Sequence, residues 1–324
     1  MHIVRDLAQA GLVSSLSERS KRGYVTIGVF DGVHRGHRRL IAGMVEAARS
    51  TNGVAIVLTF DPHPAAVLGR EPEPPPLLTT IEERAELLSA LGVGLLVAVP
   101  FTLETARTPA TDFIAALERH LRLAELWVGP NFALGHRREG DVSFLQRLGE
   151  QSEFAVRVIE PLVWEDAVVS SSRVRAALRA GDVRQATGYL GRPYRLTGVV
   201  VHGDGRGHSI GMPTANIAPP PERLIPAGGI YACLARAERL GACSAVVNVG
   251  TRPTFARTPG NGALAVEAHL LDIEADLYGQ TLALDFVARL RDERAFPSAN
   301  ALVAQIHKDI TQARAVLGDA GFSE

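Results

Sequence analysis

The sequence predicts an α/β chain in two parts, a doubly wound parallel sheet followed by a small antiparallel β-barrel with a terminal helix. Three observations carry this. From residue 24 to 159 strand-like runs alternate with helical patterns, as a parallel sheet with helices on both faces requires. Gly-Arg-Pro-Tyr at 191–194 breaks that pattern, and from 194 onward the texture is β, with glycines and prolines between the runs. With 324 residues, 46% of them apolar, the chain can bury two ordinary cores.

In the first part, strands are expected at 24–30, 54–60, 94–100, 125–129 and 154–159, and helices near 37–49, 80–91, 109–121 and 141–150. The helix from 37 is supported by Leu40, Ile41, Met44, Val45 and Ala48, which share one side at helical spacing. Ligands in such folds sit at the carboxyl ends of the strands. The turn after 24–30, the Asp-Pro-His-Pro turn at 61–64 and the loop 130–140 all follow strand ends and can converge there. Residues 71–76, EPEPPP, read as a stiff extended loop. Two short helices, about 171–180 and 182–190, close this part. In the second part, strands are expected at 194–202, 230–237, 243–249, 264–272 and 281–290. A final helix, about 298–317, turns Leu302, Ile306, Ile310 and Val316 toward them. The domains are expected to divide at 187/188.

The most informative stretch is GVFDGVHRGH at 28–37, which sets His34 and His37 around Gly36 where a strand turns into a helix. A helix N-terminus offers unpaired amides and a positive dipole end, so phosphate binds there readily. Gly36 would let a phosphate approach the backbone, and imidazoles on either side can donate to its oxygens. Asn131, in VGPNFALGHRREGD at 128–141, would sit at a strand mouth, where an amide can read a ring or a phosphate. Ser170, Ser171 and Ser172 can cap a helix start. Arg173 and Arg175 are less expected there, because the dipole disfavours cations; an anionic ligand such as a pyrophosphate leaving group would compensate. In GDGRGHSIGMPTAN at 203–216, Thr214 and Asn216 point the same way if the segment is extended. Two neutral oxygens side by side suit a hard cation such as Mg²⁺ held mainly by phosphates, or are simply an exposed polar strand edge. Glu267 alternates against the apolar face of 263–272, as an ordinary exposed carboxylate would.

Composition excludes several classes. The formal net charge of −1 gives no bulk attraction to nucleic acid or anionic membrane. No apolar run reaches membrane-spanning length, and the charge-dotted first residues do not read as a signal peptide. The two cysteines, Cys233 and Cys243, fit buried thiols in a reducing cytosol, so a cytoplasmic location is expected. The only lysines are Lys21 and Lys308, and neither has the setting of a Walker-A loop or a protein kinase. Nucleotide chemistry here must use Arg, His, helix ends and metal.

Taken in order, GxFDGVHxGH, FDPHP (60–64), VGxNFxxG (128–135) and SSSRVR (170–175) resemble the FMN adenylyltransferase half of bacterial FAD synthetases. GxGRGxxxGxPTAN, NVGTRPTF (248–255), VEAHLLD (266–272), DLYG (276–279) and RLRDERAFPS (289–298) resemble the riboflavin kinase module of the same bifunctional family. The family often has an aromatic and an Arg where this chain has Ala133 and Leu134, and usually Phe and a basic residue at the Met212 and His208 positions. The resemblance implies a nucleotidyltransferase domain and a β-barrel kinase domain that convert riboflavin to FMN and FMN to FAD with ATP and Mg²⁺. It implies that FMN phosphate attacks the α-phosphorus of ATP in line, with His34 and His37 on the α-phosphate and Arg173, Ser171 and Ser172 on the departing pyrophosphate. It makes Glu267 the base for the ribityl hydroxyl and Thr214 and Asn216 the metal ligands. It further implies ATP or flavin contacts at Gly28, Phe30, Asp31, Gly36, His63, Asn131, Arg175, Gly205, Gly207, Asn248, Arg252, Thr254, Arg289 and Arg291. Rival readings are an HxGH adenylyltransferase acting on nicotinamide mononucleotide or phosphopantetheine, a class I aminoacyl-tRNA synthetase, and a flavin-binding sensor without catalysis. The PTAN and VEAH segments disfavour the first; neutral charge, length and the lack of a lysine-bearing second signature disfavour the second. Joint retention of the histidines, Arg173, Thr214, Asn216 and Glu267 disfavours the third.

Overall fold

The computed structural model describes residues 1–11, 22–69, 73–203, 211–238, 240–251, 264–273 and 275–319. Two compact units divide the chain, Met1–Ser171 and Ser172–Glu324.

The first unit is built on six parallel strands in the order β1-β4-β3-β2-β5-β8. They are β1 His2–Val4, β2 Gly23–Ile27, β3 Val54–Asp61, β4 Leu95–Pro100, β5 Leu123–Val128 and β8 Ala155–Val158, while β6 Ala133–Leu134 pairs with β7 Gly140–Asp141 and β9 Val163–Trp164 with β10 Ala167–Val168 as two short ribbons. Helices cover both faces, so all five residues of β2 are buried. On one face Val25, Ile56, Leu58 and Val97 pack with Phe113, Ile114, Leu117 and Leu121 of α5 (Ala110–Leu121) and Leu145 of α6 (Val142–Ser152). On the other, Tyr24, Val57 and Leu96 pack with Ile41, Met44 and Val45 of α2 (Arg35–Ser50) and Ala85 and Leu88 of α4 (Ile81–Ala90). The chain runs outward from β2 to β3 on one side and reaches β5 on the other. The switch of direction, and with it the crevice where ligands bind in such sheets, therefore lies at the carboxyl end of β2.

One expectation changes, and short elements are added. The strand expected at 24–30 ends at Ile27, because Phe30 and Val33 take positive φ, 50° and 38°, and the chain turns there. The edge strand β1, the short helix α1 (Leu7–Ala10) and α3 (Pro64–Leu68) carry no pattern long enough to read from sequence. The two compact units part after Ser171, and the two short helices α7 (Ser171–Arg179) and α8 (Val183–Leu190) go mainly with the second. The Ala227 amide there donates to the Leu178 carbonyl at 2.9 Å.

The second unit is a closed antiparallel barrel in the order β11-β12-β15-β14-β13-β16. Its strands are β11 Tyr194–Val201, β12 Ala215–Ala218, β13 Gly229–Ala237, β14 Gly241–Thr251, β15 Leu264–Leu270 and β16 Thr281–Arg291. Buried Tyr194, Leu196, Tyr231, Cys233, Val247, Val266, Leu284 and Phe286 recur at every second strand position. Tyr231 meets Phe286 edge-on at 5.2 Å. Burial pushes the Cys233 thiol well above its ordinary range, and both cysteines are free.

The terminal helix α9 (Ala299–Asp319) closes one side. Its contact is made by Ala313 and Leu317 on Ile230, Ala232, Leu234 and Val246, with Ile310 and Val316 beside them. Leu302 and Ile306, expected on that face, are only half-buried. The anchor is polar: Arg291 grips Asp309 through Nε at 3.0 Å and through its Nη2 at 2.7 Å. Asp309 is 2% exposed, so removing its partner strands a buried charge. Arg291→Ala should lower the stability of the second unit by about 3 kcal/mol, read from its denaturant unfolding transition; a change within error would show that the apolar seam alone holds α9.

Candidate active sites in the two units

In the first unit the turn from β2 into α2 is held from below. The Asp31 carboxylate, 1% exposed, accepts from the Leu78 amide at 3.0 Å and from the Thr79 amide and hydroxyl at 3.0 and 3.1 Å. The Arg84 guanidinium, 2% exposed, lies 3.5 Å from the same carboxylate. It donates to the Thr59 hydroxyl and the Thr79 carbonyl, while Thr59 donates to the Val29 carbonyl at 2.9 Å. Ser171 donates to the Asp31 carbonyl at 2.8 Å. Asp31, expected to touch the nucleotide, therefore faces inward: its side chain is committed to shaping the turn, because a buried carboxylate needs amides and a cation around it. Arg84, Thr59 and Thr79 were missed. The only sequence signal was a basic residue on the apolar side of α4, beside Ala85 and Leu88.

Above this support, His34 is the N-cap of α2, its Nδ1 accepting the His37 amide at 3.2 Å. An accepting Nδ1 leaves Nε2 as the proton-bearing nitrogen of the neutral ring. The imidazoles of His34 and His37 stack at 3.5 Å, 15° apart, and Phe30 meets His37 edge-on at 5.0 Å. Two stacked imidazolium rings would repel. Burial first, then the neighbouring His34 and Arg84 charges, hold His37 well below the usual histidine range. Its buried Nδ1 has no hydrogen-bond partner among the described residues. Gly36, expected to make room for phosphate, makes room for His34: a Cβ there would lie 3.2 Å from the His34 ring. Arg35 sits over the Trp164 ring at 5.9 Å.

The strand ends do converge. A pocket of about 560 Å³ opens where β2, β3, β4 and β5 end, lined by Gly28, Phe60, Phe101 and Phe132 among others. Ala133 and Leu134 line it too, with Arg137 and Arg138. His63 caps α3, its Nδ1 accepting the Ala65 amide. Asn131 is exposed, its carbonyl accepting from Arg138 at 3.0 Å. At the start of α7, Ser172 and Arg173 are exposed and Arg175 is buried.

In the second unit, strand register does the assembling. Asn216 of β12 pairs with Glu267 of β15, which pairs in turn with Asn248 of β14. Residues opposite each other in an antiparallel sheet project to the same side, so three polar side chains stand in a row across three strands. Asn216 is 7% exposed, and a Cβ on Gly203 would collide with its side-chain amide. The Asn248 Oδ1 is buried without a hydrogen-bond partner among the described residues. His269 Nδ1 lies 2.8 Å from the Pro213 carbonyl, fixing the segment that carries Thr214. Thr214 lines a pocket of about 430 Å³ with Pro213, Asp276 and Tyr278. Among the described residues no group of three or more His, Cys, Asp or Glu could hold a metal. The hydroxyl and amide oxygens of Thr214 and Asn216 fit a Mg²⁺ whose other ligands are phosphates and water.

Arg289 donates to the Gly228 carbonyl at 2.6 Å and pairs with Asp292. Arg291, expected at the ligand, is turned to Asp309 instead, because it sits where the barrel must hold α9. Gly205, Gly207, Arg252 and Thr254 lie outside the described residues.

The His37 geometry has a consequence for pH. An unfolded chain takes up the imidazole proton near pH 6.5, while the native ring stays neutral to a lower pH. The stability this contributes is present above about pH 6.5 and lost as pH falls from there through the native pKa. NMR titration of the ring protons should show His37 unprotonated at pH 6; an ordinary midpoint would place the ring in solvent.

Comparison with known proteins extends over both units. A family model for FAD synthetase matches residues 16–173, and one for riboflavin kinase matches 190–317. The bifunctional riboflavin kinase/FMN adenylyltransferase of Escherichia coli strain K12 is 36% identical over 94% of this chain and 96% of its own. That of Bacillus subtilis strain 168 is 33% identical over 92% and 93%. A solved structure titled a macrolide-efflux protein from Streptococcus pneumoniae superposes with a TM-score of 0.85 at 28% identity, covering 97% of this chain and 99% of that one. No helix among the described residues is long and apolar enough to cross a membrane. The chain belongs to the bifunctional riboflavin kinase/FMN adenylyltransferase family, with the FAD synthetase domain first and the riboflavin kinase domain second.

Proposed function

We propose that the two activities are divided by chemistry as well as by domain, with the functional boundary at 187/188. Adenylation of FMN needs charge stabilisation and no base, because the attacking phosphate is already ionised at neutral pH. His34 and His37 hold the α-phosphate oxygens of ATP at the positive end of α2, and Arg173 and the Ser172 hydroxyl, with the Ser171 backbone amide, receive the departing pyrophosphate, the Ser171 hydroxyl being engaged on the Asp31 carbonyl. The flavin ring occupies the pocket of Phe60, Phe101 and Phe132, whose apolar wall suits a flat heteroaromatic. Ala133 and Leu134 meet it by packing, and the basic Arg137 and Arg138 stand at the same pocket for the FMN phosphate.

Phosphorylation of riboflavin is different, since a ribityl hydroxyl must lose a proton. Glu267 accepts it. Thr214 and Asn216 hold Mg²⁺ with ATP; when bound, the metal neutralises charge on the transferring phosphoryl group. Glu267 stands beside Asn216 in register, and this adjacency of base and metal ligand is the observation that carries the reading. Arg289, through its fixed place on Gly228 and Asp292, supplies a cation at the barrel end. Both substrates and both products, with ATP, account for the partners. A formal net charge of −1 and free thiols favour a cytoplasmic enzyme that binds neither nucleic acid nor membrane.

Two reciprocal variants test this. Glu267→Gln should cut FMN formation from riboflavin by about 100-fold or more and leave FAD formation from supplied FMN intact, separated by flavin chromatography. His34→Ala should do the reverse, accumulating FMN, with FAD formation down by about 100-fold. Loss of both activities in either variant would refute separate sites. Thr214→Val should raise the Mg²⁺ concentration needed for half-maximal riboflavin phosphorylation by about tenfold; an unchanged metal requirement removes the hydroxyl from the coordination sphere.

A further inference from the structure

The turn that carries the two histidines is strained. Phe30 at φ 50° and Val33 at φ 38° both lie in the left-handed region, flanking Gly32 at 79°. A β-branched residue there is strained and persists only where its surroundings over-determine it. Ser171 holds the Asp31 carbonyl, and the segment 78–84 holds the rest of what the described contacts show. Asp31 is clamped by the amides of Leu78 and Thr79, and Gly32 donates to the Thr79 hydroxyl at 3.0 Å. Arg84 joins these pieces: it touches Asp31, the Thr79 carbonyl and, through Thr59, the carbonyl of Val29 just before the turn.

We propose that Arg84 is a positioning residue for adenylyl transfer, its planar fork locking the Phe30–Val33 turn so that His34 and His37 meet the α-phosphate in one fixed geometry. This rests on the reading that the histidine pair handles that phosphate. A fork with separate donors to Thr59 and Thr79 fixes direction as well as charge, which an ammonium cannot reproduce. The Arg84 charge also reaches His37, adding to what keeps that ring neutral. As a buried ion pair, Asp31–Arg84 adds little to stability over neutral residues of similar shape. What it supplies is a single geometry for the turn.

The test uses the full chain, with riboflavin phosphorylation by the second domain as internal control. Arg84→Met should lower kcat for FAD formation by about 100-fold, since a misplacement of about 1 Å costs that much, with riboflavin phosphorylation unchanged. Removing one charge leaves Asp31 buried and unpaired, so a loss of fold must be separated from a loss of aim. The doubly neutral Asp31→Asn/Arg84→Met variant should regain the thermal transition of the first unit while kcat stays about 100-fold down; recovery of kcat together with the fold overturns the proposal. Arg84→Lys keeps the charge without the fork and should fold normally with kcat about tenfold down. Wild-type kcat in Arg84→Lys also overturns it, and decides the matter if both neutral variants fail to fold. His34→Ala run in parallel keeps the two ideas apart. If it retains full FAD formation, the phosphate reading fails. If it is impaired while folded Arg84 variants are not, only the role of Arg84 falls.

Discussion

A carboxylate almost wholly shut off from water organises the first domain. Asp31 cannot be hydrated, so it must be surrounded by donors, and those it gathers come from Leu78, Thr79 and Arg84. Satisfying one buried charge therefore ties the loop after β2 to the start of α4 and, through Thr59, to β3. The strained φ values at Phe30 and Val33 follow from this closure, and so does the direction in which α2 leaves the sheet. Because α2 begins at His34 and Arg35, its amide-rich end and both imidazoles follow directly on the turn that this network holds.

The second domain solves the same problem by register. A closed barrel has no free edge, so each strand is fixed by two neighbours and the pairing of Asn216, Glu267 and Asn248 follows from the whole ladder. A one-residue slip of β15 would send Glu267 to the opposite face and set Val266 or Ala268 between Asn216 and Asn248 instead. The Asn248 Oδ1, buried and without a hydrogen-bond partner among the described residues, is an acceptor kept next to the proposed base, in line with a substrate rich in hydroxyl groups. The closed wall also frees its rim: Arg291, which the motif alone would assign to ligand, holds the terminal helix through Asp309.

In the proposed division of labour, the difference in side chains follows the difference in nucleophiles. An ionised phosphate needs donors and cations, and the first domain offers neutral imidazoles, a helix end and arginines. A ribityl hydroxyl needs a base, and the second domain offers a carboxylate beside neutral oxygens fit for a metal. The depressed basicity of His37 belongs to this division: a ring stacked on a second imidazole and held low by burial and nearby positive charge serves as a neutral group, not as a proton acceptor near pH 7.

Periodicity by itself determined the alternation of strands and helices, the change to a barrel near residue 194 and the apolar face of α2, because these arise from spacing along the chain. The motifs determined the family, since several recur in order over both halves. Tertiary structure alone decided where β2 ends, that Asp31 and Arg291 are spent on architecture, that Gly36 accommodates the His34 ring, and that Ala313 and Leu317 seat α9. It alone brought Arg84, Thr59 and Thr79 beneath the histidines. The physical reason is common to these cases: a buried charge or a strained backbone angle is settled by partners distant in sequence, and spacing along the chain carries no record of which distant group will supply the compensating donor.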